Sequence, residues 1–293
     1  MFSFLKAWLQ GVPMARLIYL VENQAILKLT AMRKKVTTQT IRKLKNNRPV
    51  VCVTAYDAVM TALVDRAEVD LILVGDSVGS TQMGLSTTVP VTMDDMVHHT
   101  RMVTKAQPKA MVVADIPFGV AHHSWDILLD ACVRLMQEGG AEAVKIEGGK
   151  EVAPTIEKLV AAGIPVLGHI GLLPQRFHAM GGYRKFGKTE ANQLRLVEDA
   201  KALEEAGVFA IVGEMIQNDF THQITEAIDV PFIGIGAGPD CDGQILVCTD
   251  LLGMGTEGYP SFAKQYANLA DTITDAVAQY RDEVCAKTFP EKK

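Results

Sequence analysis

Short apolar runs that end on a polar side chain recur along this chain. Val50-Val51-Cys52-Val53-Thr54, Leu71-Ile72-Leu73-Val74, Ala110-Met111-Val112-Val113-Ala114 and Ala143-Val144-Lys145-Ile146 are the first four. Pro165-Val166-Leu167-Gly168, Phe209-Ala210-Ile211-Val212-Gly213, Pro231-Phe232-Ile233-Gly234-Ile235 and residues 244–248 make eight. Continuous apolarity, instead of alternation, marks a strand covered on both faces. Helical stretches stand between most of them, at 93–106, 125–137, 152–162, 189–206 and 221–228, with another running to Val69. Asp94-Asp95 suits the first turn of a helix, and Gly139-Gly140, Gly163 and Gly207 suit helix ends. Alternating strands and helices predict a parallel sheet with right-handed crossovers. Eight such units in 293 residues predict one closed (β/α)8 barrel, a TIM barrel, over residues 35–293. A doubly wound open sheet is the alternative.

The chain ends on a second periodic pattern. Phe262, Tyr266, Leu269, Ile273, Val277, Tyr280 and Val284 are spaced by three and four, which predicts one helical stripe. Packing on the barrel wall is the first expectation for it, and a subunit contact the second.

The N-terminus has a different character. No acid occurs from Asn23 to Tyr56, while Lys28, Arg33, Lys34, Lys35, Arg42, Lys43, Lys45 and Arg48 do. Basic, acid-poor leaders can target organelles, but Glu22 and the scarcity of serine argue against that here. Residues 1–34 are expected to form an extension or arm, with Met32 a candidate for the natural start of the chain.

Composition narrows the function classes. At net charge −5 the chain gives no sign of the clustered basic surface that nucleic acid requires. It has no run of 18 apolar residues, so no membrane span is expected. Cys52, Cys132, Cys241, Cys248 and Cys285 form no CxxC pair, which suits reduced thiols in a cytoplasmic protein.

The residues just past the strands carry the chemistry. Asp76, Asp115, Glu147, His169 and Glu214 each terminate a predicted strand. Parallel strands of a barrel deliver all five to one rim, where barrel enzymes keep their active sites. Four carboxylates gathered there repel one another and lose hydration unless a cation sits among them. An all-oxygen donor set favours a hard divalent ion such as Mg2+. Lys145 shares the side-chain parity of Glu147 and points the same way. His169 fits a structural histidine as well as a site group.

Two motifs compete with this reading. Gly182-Tyr183-Arg184-Lys185-Phe186-Gly187-Lys188-Thr189 matches the P-loop pattern, but no strand can precede it. A mobile loop covering the site is the better expectation. Gly234-Ile235-Gly236-Ala237-Gly238 lacks the spacing of a dinucleotide turn. The pairs His98-His99 and His122-His123 lack metal-ligand spacing and read as surface residues.

Several ordered motifs together resemble one family. Thr54-Ala55-Tyr56-Asp57, Val74-Gly75-Asp76-Ser77, Ala114-Asp115-Ile116-Pro117-Phe118 and Val144-Lys145-Ile146-Glu147-Gly148-Gly149 resemble ketopantoate hydroxymethyltransferase. So do Gly168-His169-Ile170-Gly171-Leu172, Gly181-Gly182-Tyr183 and the stretch from Gly234 to Val247. The resemblance runs from about Lys35 to about Tyr280. It implies a Mg2+-dependent barrel of the phosphoenolpyruvate/pyruvate type. Such an enzyme transfers a hydroxymethyl group from 5,10-methylenetetrahydrofolate to 3-methyl-2-oxobutanoate through a stabilised enolate, on the way to pantothenate and coenzyme A.

Carried across, the resemblance makes Asp76, Asp115 and Glu147 metal residues, with Asp76 and Asp115 also touching substrate. Ser77 and Lys145 would bind the substrate carboxylate and Glu214 would be the catalytic base. His169 falls on an active-site histidine of open role. Homo-oligomers, often decamers, are the family pattern. One departure is Met215-Ile216-Gln217 after the base, where Cys-Val-Pro is common, and it puts the local loop shape in question. A related lyase or mutase acting on phosphorylated or dicarboxylic 2-oxo acids would share the acids but need a second cationic pocket. A non-catalytic barrel would need none of them.

Overall fold

The computed structural model of the chain describes residues 33–182, 184–255 and 258–291. Its strands are β1 (Val50–Thr54), β2 (Leu71–Val74), β3 (Met111–Asp115), β4 (Ala143–Glu147), β5 (Val166–Gly171), β6 (Ala210–Glu214), β7 (Phe232–Ile235) and β8 (Gly243–Leu246). They pair in sequence order, all parallel, and β8 closes on β1. The predicted (β/α)8 barrel is therefore present, with every apolar run a strand.

The helices are α1 (Thr38–Leu44), α2 (Ala58–Arg66), the single turn α3 (Val78–Thr81), α4 (Met93–Lys105), α5 (Trp125–Gln137), α6 (Ala153–Ala161), the single turn α7 (Phe177–Met180), α8 (Glu190–Glu205), α9 (Asn218–Glu226), α10 (Cys248–Leu252) and α11 (Leu269–Cys285). Local chemistry starts several of them. Thr92 and Asp95 form a reciprocal capping box at α4, and the Asp57 carboxylate caps α2 by accepting from the Met60 N–H.

Strand parity splits the core in two. Leu71, Leu73, Met111, Val113, Leu167 and Val212 fill the barrel interior, whereas Ile72, Val74, Val112, Val144, Val166 and Ile211 pack against the helices. Ile41 and Leu44 of α1, with Val36, belong to the interior cluster and close the floor at the N-terminal end of the strands. Lys45 anchors that floor on Asp242 at 2.7 Å, and Arg48 grips both oxygens of Asp70. Among the described residues, the barrel opens at the opposite rim, which carries the strand-end acids. The arm expected at the N-terminus lies outside the described residues up to position 32; Arg33, within that expectation, pairs with Asp65 at 3.2 Å.

One expectation changes and one holds. The C-terminal stripe is not one helix on the wall. The helix begins at Leu269, after the Asn268 cap, and none of its residues is buried. Ile273, Val277, Tyr280 and Val284 stay 43–60% exposed. Phe262 lies before the helix and reaches back over Gly236 at the end of β7. The P-loop-like stretch follows a 3-10 turn (Pro174–Arg176) and α7, not a strand, and its Thr189 caps α8. Among the described residues, no helix is long and apolar enough to cross a membrane.

Candidate active site

The two-residue alternation of the strands sends Asp115, Lys145, Glu147, His169 and Glu214 inward at the open end, and the turn after β2 adds Asp76 and Ser77. All seven line one cavity of about 970 Å3. Asp76, Asp115, Lys145, Glu147 and His169 are each 6% exposed or less, while the Glu214 side chain keeps 15%. Asp57, also a strand-end acid, is spent on its helix cap and stays outside.

Asp115 is the centre of the group. Its Oδ1 accepts from the Lys145 ammonium at 2.6 Å, and its Oδ2 accepts from the Asp76 backbone N–H at 3.0 Å. Asp76 Oδ2 in turn accepts from the Gln175 amide at 2.8 Å, and Glu147 Oε2 from the Gln175 backbone N–H at 3.2 Å. His169 stands between Glu147 and Glu214, its ring nitrogens 3.5 and 3.4 Å from their oxygens. Those separations are too long for good hydrogen bonds. Both ring nitrogens and Glu147 Oε1 are therefore buried without a hydrogen-bond partner.

The electrostatics follow from crowding. Burial, then repulsion from Asp115 and Glu147, holds the Asp76 carboxyl well above its usual range. Burial is also the main cause for Glu147, raised to about 7 against the opposing pull of Lys145. Glu214 is raised by burial, with His169 opposing, and burial together with Lys145 lowers the His169 pKa. Burial alone would lower Lys145, but Asp115, Glu147 and Asp76 outweigh it and hold the ammonium charged. One ammonium thus faces four carboxylates across a neutral histidine, and the site is short of positive charge.

These residues fit a hard divalent cation by donor type and charge. The buried, unpartnered Glu147 Oε1 is the observation that speaks for it. They are not a finished cage. Among the described residues, no three His, Cys, Asp or Glu groups already gather around one point. Lys145 holds one oxygen of Asp115 and Gln175 holds one of Asp76. A cation here would draw part of its coordination from substrate or water.

Ser77 lies beside this group, its hydroxyl 2.8 Å from the phenol oxygen of the buried Tyr56. Glu214 is set by close backbone packing. Gly171 runs against it at φ +92°, where an added Cβ would meet the Glu214 carbonyl at 2.3 Å. Met215 follows at φ 50°, and its N–H bonds the Ile235 carbonyl. The Met215-Ile216-Gln217 departure is thereby accommodated: Phe186 exchanges backbone hydrogen bonds with Met215 and Gln217. This places the expected covering loop behind Glu214, and none of its described residues lines the cavity. His99 bonds the Tyr56 carbonyl, and His98, His122 and His123 are exposed, away from the site.

Gln175 and Tyr56 are the polar neighbours that sequence patterning missed. Gln175 sits in an irregular turn with no periodicity, and its partner Asp76 is 99 residues away.

Comparison with known proteins identifies the family and agrees with the fold. The profile of the family described as ketopantoate hydroxymethyltransferase matches residues 35–292. The 3-methyl-2-oxobutanoate hydroxymethyltransferase of Moorella thermoacetica is 50% identical over 264 residues, 90% of this chain and 98% of the relative. That of Pyrobaculum arsenaticum is 54% identical over 250 residues, 85% and 94% of the two. Among solved structures, a phosphonopyruvate hydrolase complex with oxalate and Mg2+ superposes with TM-score 0.55 at 17% identity over 86% of each chain. A 2,3-dimethylmalate lyase of the PEP mutase/isocitrate lyase superfamily gives 0.54 at 15% over 88% of each. At such identity the structures speak for the fold alone, whereas the sequence relatives, matched almost end to end, speak for the enzyme: this chain belongs to the ketopantoate hydroxymethyltransferase family.

Proposed function

We propose that the chain transfers a hydroxymethyl group from 5,10-methylenetetrahydrofolate to 3-methyl-2-oxobutanoate, giving 2-dehydropantoate, with Mg2+ as its cofactor. The observation that carries the substrate reading is charge. Among the described residues lining the cavity, Lys145 is the sole Lys or Arg. One ammonium suits a monocarboxylate, whereas a phosphonate or dicarboxylate would need a second cationic group. Leu73, Val212, Ile235 and Ile245 offer an apolar wall for a branched alkyl group.

Asp76, Asp115 and Glu147 would hold the cation, which when bound would stabilise negative charge developing on the 2-oxo group. A fold neighbour solved with oxalate and Mg2+ is in keeping with this. Lys145 and the Ser77 hydroxyl bind the substrate carboxylate. Glu214, on β6 and across His169 from the acids, takes the C3 proton. Its raised pKa makes it a stronger base than an exposed carboxylate, and His169 Nε2 lies 3.4 Å from its Oε2. The C3 carbon gains the one-carbon unit as the folate nitrogens regain protons, one of them originating at C3. One water supplies the hydroxyl group, oxygen and hydrogen, and the other folate proton.

Self-association is proposed with it. The exposed stripe of α11 supports a subunit contact, and the family pattern suggests a decamer. Five free thiols, three of them buried, suit a cytoplasmic setting.

The test is product formation. With 3-methyl-2-oxobutanoate, 5,10-methylenetetrahydrofolate and Mg2+, proton NMR should show the new hydroxymethyl signal, lost on chelation. Cleavage of phosphonopyruvate or dimethylmalate without hydroxymethyl product would move the chain to the lyase and mutase class.

A further inference from the structure

One half-buried residue touches three neighbouring strand ends at once. The Gln175 side-chain amide donates one N–H to Asp76 Oδ2 and the other to the Ile116 carbonyl, both at 2.8 Å. Its backbone N–H donates to Glu147 Oε2 at 3.2 Å. Asp76 follows β2, Ile116 follows β3 directly after Asp115, and Glu147 ends β4. All three donors of Gln175 are thus used, and each is used at a different strand end.

The turn carrying Gln175 is itself fixed. Pro174–Arg176 forms a 3-10 turn closed by Arg176 N–H to the Leu173 carbonyl. The Arg176 guanidinium is 2.5 Å from Glu151, which also accepts from the Gly149 N–H just beyond β4. A preformed turn therefore presents a neutral donor set to two carboxylates that repel each other. A lysine in that place would bring them together equally well but would neutralise charge that a dication needs. The amide orders the acids and leaves their charge in place.

We infer that Gln175 is a positioning residue for divalent-cation binding: it occupies one oxygen of Asp76 and one of Glu147, so that the other oxygen of each would be left for a cation. This rests on the proposed role of those acids in holding the cation. Hydrogen bonds to coordinating carboxylates typically change metal affinity by about 10- to 100-fold when removed.

Mn2+ is the probe, titrated against the metal-free full-length protein and followed by the loss of free-ion EPR signal. Gln175→Met keeps the length and the backbone N–H but lacks side-chain donors. It should weaken Mn2+ by about 10- to 100-fold with unchanged circular dichroism. Gln175→Asn keeps the donors but falls one methylene short of spanning Asp76 and Ile116, so it should fall between the two. A merely structural glutamine would lower the denaturation midpoint and leave Mn2+ affinity alone. Affinity within twofold of wild type in either folded variant overturns the inference, and so does failure of both variants to fold. Wild-type protein that binds no Mn2+ would instead overturn the metal assignment itself.

Discussion

Glu147→Gln should make the metal-free protein more stable at neutral pH while removing its activity. Burial, with help from Asp115, raises the Glu147 carboxyl from an ordinary 4.5 to about 7. A carboxyl whose folded pKa lies above its unfolded one binds more protons in the native state. Stability therefore falls as pH rises from the unfolded value through the folded one. The gap between those values, at about 1.4 kcal/mol per pH unit, is worth about 3 kcal/mol once pH exceeds both. Glutamine cannot ionise, keeps the volume and still accepts from the Gln175 N–H through its carbonyl oxygen.

Urea unfolding in EDTA, followed by circular dichroism from pH 4.5 to 8, gives both stability curves. They should meet near pH 4.5 and separate to about 3 kcal/mol by pH 8, with the variant above. Asp76 and Glu214 titrate in both proteins but lose the repulsion of Glu147 in the variant, which separates the curves in the same direction. Added Mg2+ should close the gap by stabilising the wild type more, since a ligand held by the native state alone adds stability. A difference independent of pH, or a variant less stable at pH 8, would refute the crowding argument.

Other positions give independent checks. Lys145→Met leaves Asp115 buried with no counter-charge, and breaking such a pair should cost about 3–5 kcal/mol in denaturant unfolding at pH 7. As the proposed base, Glu214 would have to be ionised to take a proton, so kcat/KM should rise with pH along an acidic limb set by its raised pKa. His169→Phe removes a group that lowers that pKa, so the limb should move to higher pH; a move to lower pH would contradict the assignment. Gly171→Ala forces a Cβ into the Glu214 carbonyl at positive φ, and should cost about 1–3 kcal/mol and displace the proposed base, read as a fall in kcat.

The barrel was legible because its strands are parallel and covered on both faces, so each is a plain apolar run such as Leu71–Val74, burying all four side chains. The site was legible for the same reason. A charged group ending such a run has nowhere to go except the rim, as Asp115 and Glu214 show. Periodicity failed at the C-terminus because Phe262 and Tyr266 continue the three-and-four spacing of α11 without belonging to it. Pro260 and the Asn268 cap delimit a connection in which Phe262 covers Gly236. Gln175 was invisible for a different reason. Its importance comes from contacts made across 99 residues to Asp76 and 28 to Glu147, and no local pattern encodes those.

The central claim is that Glu214 removes the C3 proton of a 2-oxo acid held at the rim. Proton NMR of 3-methyl-2-oxobutanoate in deuterated water, with wild type or Glu214→Gln and Mg2+, tests it without the folate. Wild type should wash out the C3 proton and the variant should do so at least about 100-fold more slowly, the lower end expected for loss of a general base. Equal exchange by the two proteins would contradict the account.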